Sequence, residues 1–190
     1  MQGSLTEVVT AAINGDLVSF PTDTVPALAV RPDRAELIYQ LKQRNASQPL
    51  ILLAANSADL WTFAQGNSAE KEIWQAMANR YWPGALTLVL PASTRVPAGL
   101  NSGGNTIGLR LPNSDAAKAV LQQTGALATS SANLSGEAPL LNMLQIDRAF
   151  PTVTTLIGER DRTASSQPST VIKWTGTDWM VLRQGLVMIE

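Results

Sequence analysis

Histidine and cysteine are both absent from the 190 residues. Without histidine there is no Ser-His-Asp triad, no imidazole zinc ligand and no histidine general base. Without cysteine there is no disulfide and no thiolate metal site, which agrees with a reducing compartment. Charge is scarce: 14 basic against 15 acidic residues leave a net charge of −1, which argues against broad electrostatic binding of nucleic acid. No apolar run approaches the ~18 residues that span a bilayer, and the N-terminus lacks the basic-then-apolar pattern of a signal peptide. A soluble, cytoplasmic protein with no membrane partner is expected. Its chemistry falls to Lys, Arg, Asp, Glu, hydroxyls, backbone amides and a metal held by oxygen ligands.

The 45% hydrophobic content is enough for one compact domain over residues 1–190. Helix and strand signals alternate along the chain, which predicts an α/β (α+β) layer architecture. Ser4-Leu5-Thr6-Glu7 is a capping-box pattern, and Leu5, Val8, Val9, Ala12 and Ile13 follow at helical spacing until Asn14-Gly15. Strands are predicted at Leu17 to Phe20, Ala27 to Val30, Leu50 to Ala54, Ala85 to Leu90, Thr106 to Leu111, Gly125 to Ala128, Val153 to Ile157, Thr170 to Trp174 and Trp179 to Arg183. Asp33 is expected to cap a second helix carrying Leu37, Ile38 and Leu41, and Asn113 one carrying Ala116, Ala119, Val120 and Leu121. Trp61 to Arg80 reads as helix with a break near Gly66-Asn67, Trp82-Pro83-Gly84 as a turn, and Asp161 to Pro168 as linker-like.

The most informative segment is Ala128-Thr129-Ser130-Ser131-Ala132-Asn133-Leu134-Ser135-Gly136. It places hydroxyls and an amide on a turn after a buried strand, where α/β folds bind phosphates and other anions. Lys42 and Arg44 close the second helix. Two readings are open for them: complement to the negative end of the helix dipole, or convergence on one anion. Arg110 lies between Leu109 and Leu111, where an unpaired guanidinium is costly unless that face is open to solvent or ligand. Thr22, Thr24, Thr106, Thr129, Ser131, Asn133 and Ser169 each have an ordinary turn, cap or strand role as the alternative to ligand contact. Trp61, Trp74, Trp82, Trp174 and Trp179 read as packing residues, one of them available to stack on adenine. Lys71 and Lys173 are expected outside the site.

The ordered series Pro21-Thr22-Asp23-Thr24, Lys42-Gln43-Arg44, Trp82-Pro83-Gly84 with Thr87, Gly108-Leu109-Arg110-Leu111-Pro112, Thr129 to Gly136, Pro168-Ser169-Thr170-Val171 and Leu182-Arg183-Gln184-Gly185 resembles the YrdC-like family over nearly the whole chain. The resemblance implies a twisted, open, mixed parallel and antiparallel sheet with flanking helices. It also implies a nucleotidyltransferase reaction in which L-threonine, bicarbonate or CO2, and ATP give threonylcarbamoyl-AMP and pyrophosphate. A downstream complex would then transfer the threonylcarbamoyl group to tRNA. Carried over by position, Lys42, Arg44, Thr106, Ser131, Asn133 and Arg183 would contact ATP, with Lys42 and Arg44 as the catalytic cations. Thr24, Arg110, Thr129 and Ser169 would hold threonine, Arg110 as a bidentate fork on its carboxylate. Mg2+ is expected with the ATP phosphates. Its ligands are unknown, Asp23 being the nearest carboxylate and a cap its alternative role. The chain departs from the family pattern at Pro26-Ala27, where an aromatic-glycine pair is usual, and at Gln48, Leu53 and Pro139. The segment between its first two motifs is also shorter than usual. The alternatives are a diverged nucleotide-binding paralogue with another substrate, and an RNA-binding or ribosome-assembly factor of the same fold. The latter would meet double-stranded RNA or tRNA through Lys42, Arg44, Arg110 and Arg183, and would bind it with steep salt dependence.

Overall fold

A computed structural model describes residues 1–43, 49–101, 103–157 and 164–189. The elements run β1 (Gln2–Gly3), α1 (Leu5–Asn14), β2 (Val18–Phe20), β3 (Ala27–Val30), α2 (Glu36–Leu41), β4 (Ile51–Leu53), α3 (Ser57–Trp61), α4 (Ser68–Tyr81) and β5 (Leu86–Pro91). Then follow β6 (Thr106–Arg110), α5 (Asp115–Thr124), β7 (Leu127–Ser131), α6 (Met143–Ala149), β8 (Thr154–Leu156), β9 (Thr170–Trp174) and β10 (Trp179–Arg183). The ten strands among the described residues join one open sheet in the order β1-β8-β2-β3-β7-β4-β6-β5-β9-β10. Parallel pairs (β1 with β8, β2 with β8, β4 with β6, β5 with β9) mix with antiparallel ones. This is the predicted mixed sheet with flanking helices.

Local chemistry explains most element ends. The Ser4 capping box forms at the start of α1, and Gly15 stops that helix at φ 87°, a left-handed conformation that glycine takes without a Cβ penalty. Asn67 and Glu70 form a second capping box that starts α4. Helix and break fall near the predicted places, but Trp61 ends α3 instead of opening a long helix. Three other expectations are corrected. Asp33 lies in a short 3₁₀ turn, its carboxylate held by Arg31, so α2 begins at Glu36 without a side-chain cap. Ser114, not Asn113, caps α5, since its hydroxyl meets the Ala117 N–H. The hydroxyl cluster does not wait for a turn: Thr129, Ser130 and Ser131 belong to β7 itself and pair with β3.

Apolar residues on the two faces of the sheet build separate cores. On one face, Leu50, Leu52, Leu86, Leu88, Leu90, Ile107 and Leu109 pack against Ile38 of α2 and Trp74 of α4. Leu28 and Ala132 pack against Ile146 of α6 in a smaller cluster. On the other face, Phe20, Ala29, Leu53 and Leu127 meet Val8 and Ala12 of α1 and Val120 and Leu121 of α5. Those two helices cover only the β2-β3-β7-β4 side of their face. The β6-β5-β9 side of the same face, with the adjoining parts of β4 and β7, becomes a concavity. No helix among the described residues is long and apolar enough to cross a membrane.

Candidate functional site

Strand alternation decides what floors the concavity. Cross-strand partners Thr129, Ile51, Gly108, Val89 and Lys173 form one continuous row over β7, β4, β6, β5 and β9. Two residues along, Arg110, Thr87 and Val171 point the same way. Gly108 keeps the floor low: a Cβ there would lie 2.7 Å from Ile51 Cγ2. The resulting cavity has a volume of about 490 Å3, within the range of small-ligand pockets.

Thr24, Arg110, Thr129 and Ser169 line this cavity together with Thr106, Ser131, Asn133 and Arg183. Lys42 lies beneath the lining. It is 2% exposed, and its ammonium donates to the Ser131 carbonyl at 2.5 Å and to Asn133 Oδ1 at 3.2 Å. The Asn133 amide NH2 donates to the carbonyls of Leu134 and Glu137, and Ser131 Oγ donates to Asn133 Oδ1. The cation therefore braces the Ser131–Asn133 turn, beyond either role open to it from sequence. Arg44 and Gln48 lie outside the described residues.

Arg110 is held on three sides. Nε donates to the Gly84 carbonyl at 3.0 Å, Nη1 to Thr24 Oγ1 at 2.8 Å and Nη2 to Asp23 Oδ1 at 2.6 Å. A guanidinium has five N–H groups, so one remains on each terminal nitrogen. A carboxylate fork on Arg110 must use that pair, because Nε is taken. Burial pushes the Arg110 guanidinium below its ordinary value, and Asp23 beside it offsets part of that shift; burial also lowers Arg183. Asp23 is thus the buried counter-ion of Arg110. Among the described residues, no three carboxylates cluster as a metal site. Glu137 supplies the one carboxylate among the described lining residues.

The hydroxyls are equally constrained. Thr22 Oγ1 donates to the Val25 carbonyl at 2.7 Å, so in its 3.1 Å contact with Thr24 Oγ1 the Thr24 hydroxyl must be the donor. Thr24 also accepts from Arg110, which leaves it one lone pair. Thr129 Oγ1 donates to the Ile51 carbonyl at 3.2 Å and likewise has only lone pairs to offer. The backbone N–H groups of Ser165 and Ser166 bond the carbonyls of Asp23 and Thr24 and hold this loop in place. Arg183 donates from Nε and Nη2 to the Ser169 carbonyl, at 3.1 and 2.9 Å. Gly185 allows the chain to close over that segment, since a Cβ there would lie 2.3 Å from the Pro168 carbonyl.

Lys173 is a correction: it lines the cavity rather than lying outside it. The period of two from Ser169 through Val171 is the sequence signal that would have placed it there. Lys71 is exposed on α4 as expected. The five tryptophans pack in or against the core on the opposite face, Trp61 stacked on Trp82 and Trp174 edge-on to both Trp74 and Trp179. None of them lines the cavity. Pro26, Ala27, Leu53 and Pro139, the departures from the family pattern, do line it. Ala27 sits in β3 opposite Ser131, in ordinary extended pairing. Lys42 and Arg110 are buried and bonded, so they do not form the exposed cationic face that an RNA surface needs.

A family model for Sua5/YciO/YrdC, described as telomere recombination, matches residues 11–185. Threonylcarbamoyl-AMP synthase of Pyrococcus abyssi is 33% identical over 180 residues, 93% of this chain and 52% of that protein. The synthase of Halorhodospira halophila is 35% identical over 142 residues, 73% of each chain. Among solved structures, P. abyssi Sua5 complexed with L-threonine superposes with a TM-score of 0.85 at 30% identity, covering 97% of this chain and 56% of that one. Escherichia coli YciO superposes at 0.82 and 23% identity, over 98% and 94%; at that identity it shows the fold alone. The chain spans about half the length of the P. abyssi relatives.

Proposed function

Because this chain belongs to the Sua5/YciO/YrdC family, we propose that it is an L-threonylcarbamoyladenylate synthase. It would join L-threonine, bicarbonate or CO2, and ATP into threonylcarbamoyl-AMP with release of pyrophosphate. A downstream complex would use that product to make N6-threonylcarbamoyladenosine in tRNA. The observation that carries this reading is one cavity lined by Thr24, Arg110, Thr129 and Ser169 on the threonine side and by Thr106, Ser131, Asn133 and Arg183 on the ATP side. The participation of all ten strands in one sheet supports reading residues 1–190 as one domain.

The chemistry suits a site without histidine. Threonine and CO2 give a carbamate whose attacking oxygen is already ionised. That oxygen forms a bond to the α-phosphorus while the bond to pyrophosphate breaks, and the electron pair leaves on the pyrophosphate. No proton is removed in the step, so catalysis reduces to positioning and charge neutralisation. Arg110 orients the amino acid through its two remaining N–H groups. Lys42 holds Ser131 and Asn133 at the floor, and Arg44 is assigned to the phosphates by its position in the family motif. Mg2+ would ride on the ATP phosphates and neutralise them. With Glu137 the one carboxylate among the described lining residues, the site fits a metal carried by the nucleotide, not one held in a dedicated cage.

The test is to incubate the purified protein with ATP, Mg2+, L-threonine and labelled bicarbonate and to look by mass spectrometry for threonylcarbamoyl-AMP beside pyrophosphate. Product that requires both threonine and bicarbonate is expected. ATP binding with no product under any of these conditions would overturn the assignment in favour of a paralogue with another substrate.

A further inference from the structure

Thr87 is buried at the floor of the concavity with none of its surface exposed. Its hydroxyl lies 2.9 Å from Ser169 Oγ, and no other hydrogen-bonding partner for it is found among the described residues. A buried hydroxyl with a single oxygen neighbour gives its hydrogen to that neighbour, because an orphaned donor costs more than a spare lone pair. Arg183 Nη2, which can only donate, approaches the same Ser169 Oγ at 3.2 Å. Both lone pairs of Ser169 Oγ are then occupied. The Ser169 hydrogen has no acceptor among the described residues and is left for the cavity that Ser169 lines.

We propose that Thr87 is a positioning residue: it touches no substrate, but it turns the Ser169 hydroxyl into a dedicated donor toward the amino-acid carboxylate. This rests on the reading of the cavity as an amino-acid site and adds to it a polarity. Ser169 and the two remaining N–H groups of Arg110 present hydrogens; Thr24 and Thr129 present lone pairs. An amino acid fits such a field in one orientation, carboxylate toward Ser169 and Arg110, α-amino group toward Thr24 and Thr129. The two donors feeding Ser169 also polarise its O–H, which strengthens the bond it makes in turn.

Thr87→Val keeps the shape of the side chain and its preference for a strand but removes the hydroxyl, and Thr87→Ser restores it. Calorimetric titrations of the wild type and both variants would use three probes: L-threonine, L-threoninol (in which an alcohol replaces the carboxylate) and ATP. In Thr87→Val the affinity for L-threonine is expected to fall about fivefold, the scale of one net hydrogen bond. L-threoninol and ATP should change by less than twofold, and Thr87→Ser should return L-threonine binding to the wild-type level. Equal losses for L-threonine and L-threoninol would show a merely structural role and overturn the proposal, as would unchanged L-threonine binding in Thr87→Val. A wild-type protein that binds no L-threonine overturns the amino-acid reading itself, and that failure is visible before any variant is compared.

Discussion

One face of the sheet is divided between two neighbourhoods built on the same period-two alternation. Over β2, β3 and β7 the inward positions Val18, Phe20, Ala29 and Leu127 are sealed beneath α1 and α5. Over β6, β5 and β9 the inward positions Thr106, Gly108, Arg110, Val171 and Lys173 line the cavity, with Thr87 buried just beneath them. The covered half derives its worth from apolar area removed from water. The open half gives up that stabilisation and keeps polar groups, of which Arg110, Arg183, Thr87 and Ser169 are held by specific hydrogen bonds. A strand whose inward positions would make a poor core is therefore a strand that serves a ligand.

The strongest way to break this comparison is Arg110→Ala. It strips Asp23 of its buried partner and should destabilise the protein by about 3–5 kcal/mol, measured by chemical denaturation. Turnover measured on the folded fraction should fall at least about 10²-fold, the scale of removing one preorganised charge-stabilising donor. Arg110 is thus expected to couple stability to activity. Leu121→Ala, in the sealed half, should separate them. It is expected to cost about 3 kcal/mol through the cavity it leaves, while kcat/KM per folded molecule stays near wild type.

Gly108→Ala tests the floor of the open half. The added methyl meets Ile51, which must give way, so about 1–3 kcal/mol of overpacking strain is expected. Raising the floor should also weaken ligand binding about tenfold by titration; an unchanged affinity would mean that ligands do not reach that depth. The smallest effect concerns the support of the open half from its far side. Glu70 accepts hydrogen bonds from the Asn67 backbone N–H and from Trp174 Nε1, and these hold its carboxyl below the ordinary 4.5. Its contribution to stability is full above that ordinary value and is lost as pH falls through the lowered one. Glu70→Gln should lower Tm slightly at neutral pH, and the gap to wild type should close below pH 4.5.

Much of this architecture is legible in the linear sequence where the signal is local. The Ser4 box, Gly15, and the strand patterns at 27–30, 86–90 and 106–110 each carry their own instruction within a few residues. β1, with two residues, is too short to show alternation, and neither it nor α6 is predicted. The Ser114 cap falls one residue from the expected position because neighbouring polar side chains compete for the same backbone groups, and α2 starts at Glu36 with no side-chain cap because Arg31 holds the Asp33 carboxylate. Lys173 shows the same limit at the site: it is expected outside, while strand parity turns it toward the cavity.

By itself, then, the sequence settled the repertoire: no imidazole, no thiolate, a run of hydroxyls at 129–131 and basic residues at Arg110 and Arg183. Only the tertiary structure decided which of those groups remain available to a ligand. Lys42 reaches the Ser131 carbonyl across 89 residues and Arg110 reaches Asp23 across 87. A hydroxyl becomes donor or acceptor according to partners just as distant, as Thr129 does with Ile51 across 78. Hydrogen-bond capacity is finite and is spent through space, so no local pattern records what is left over.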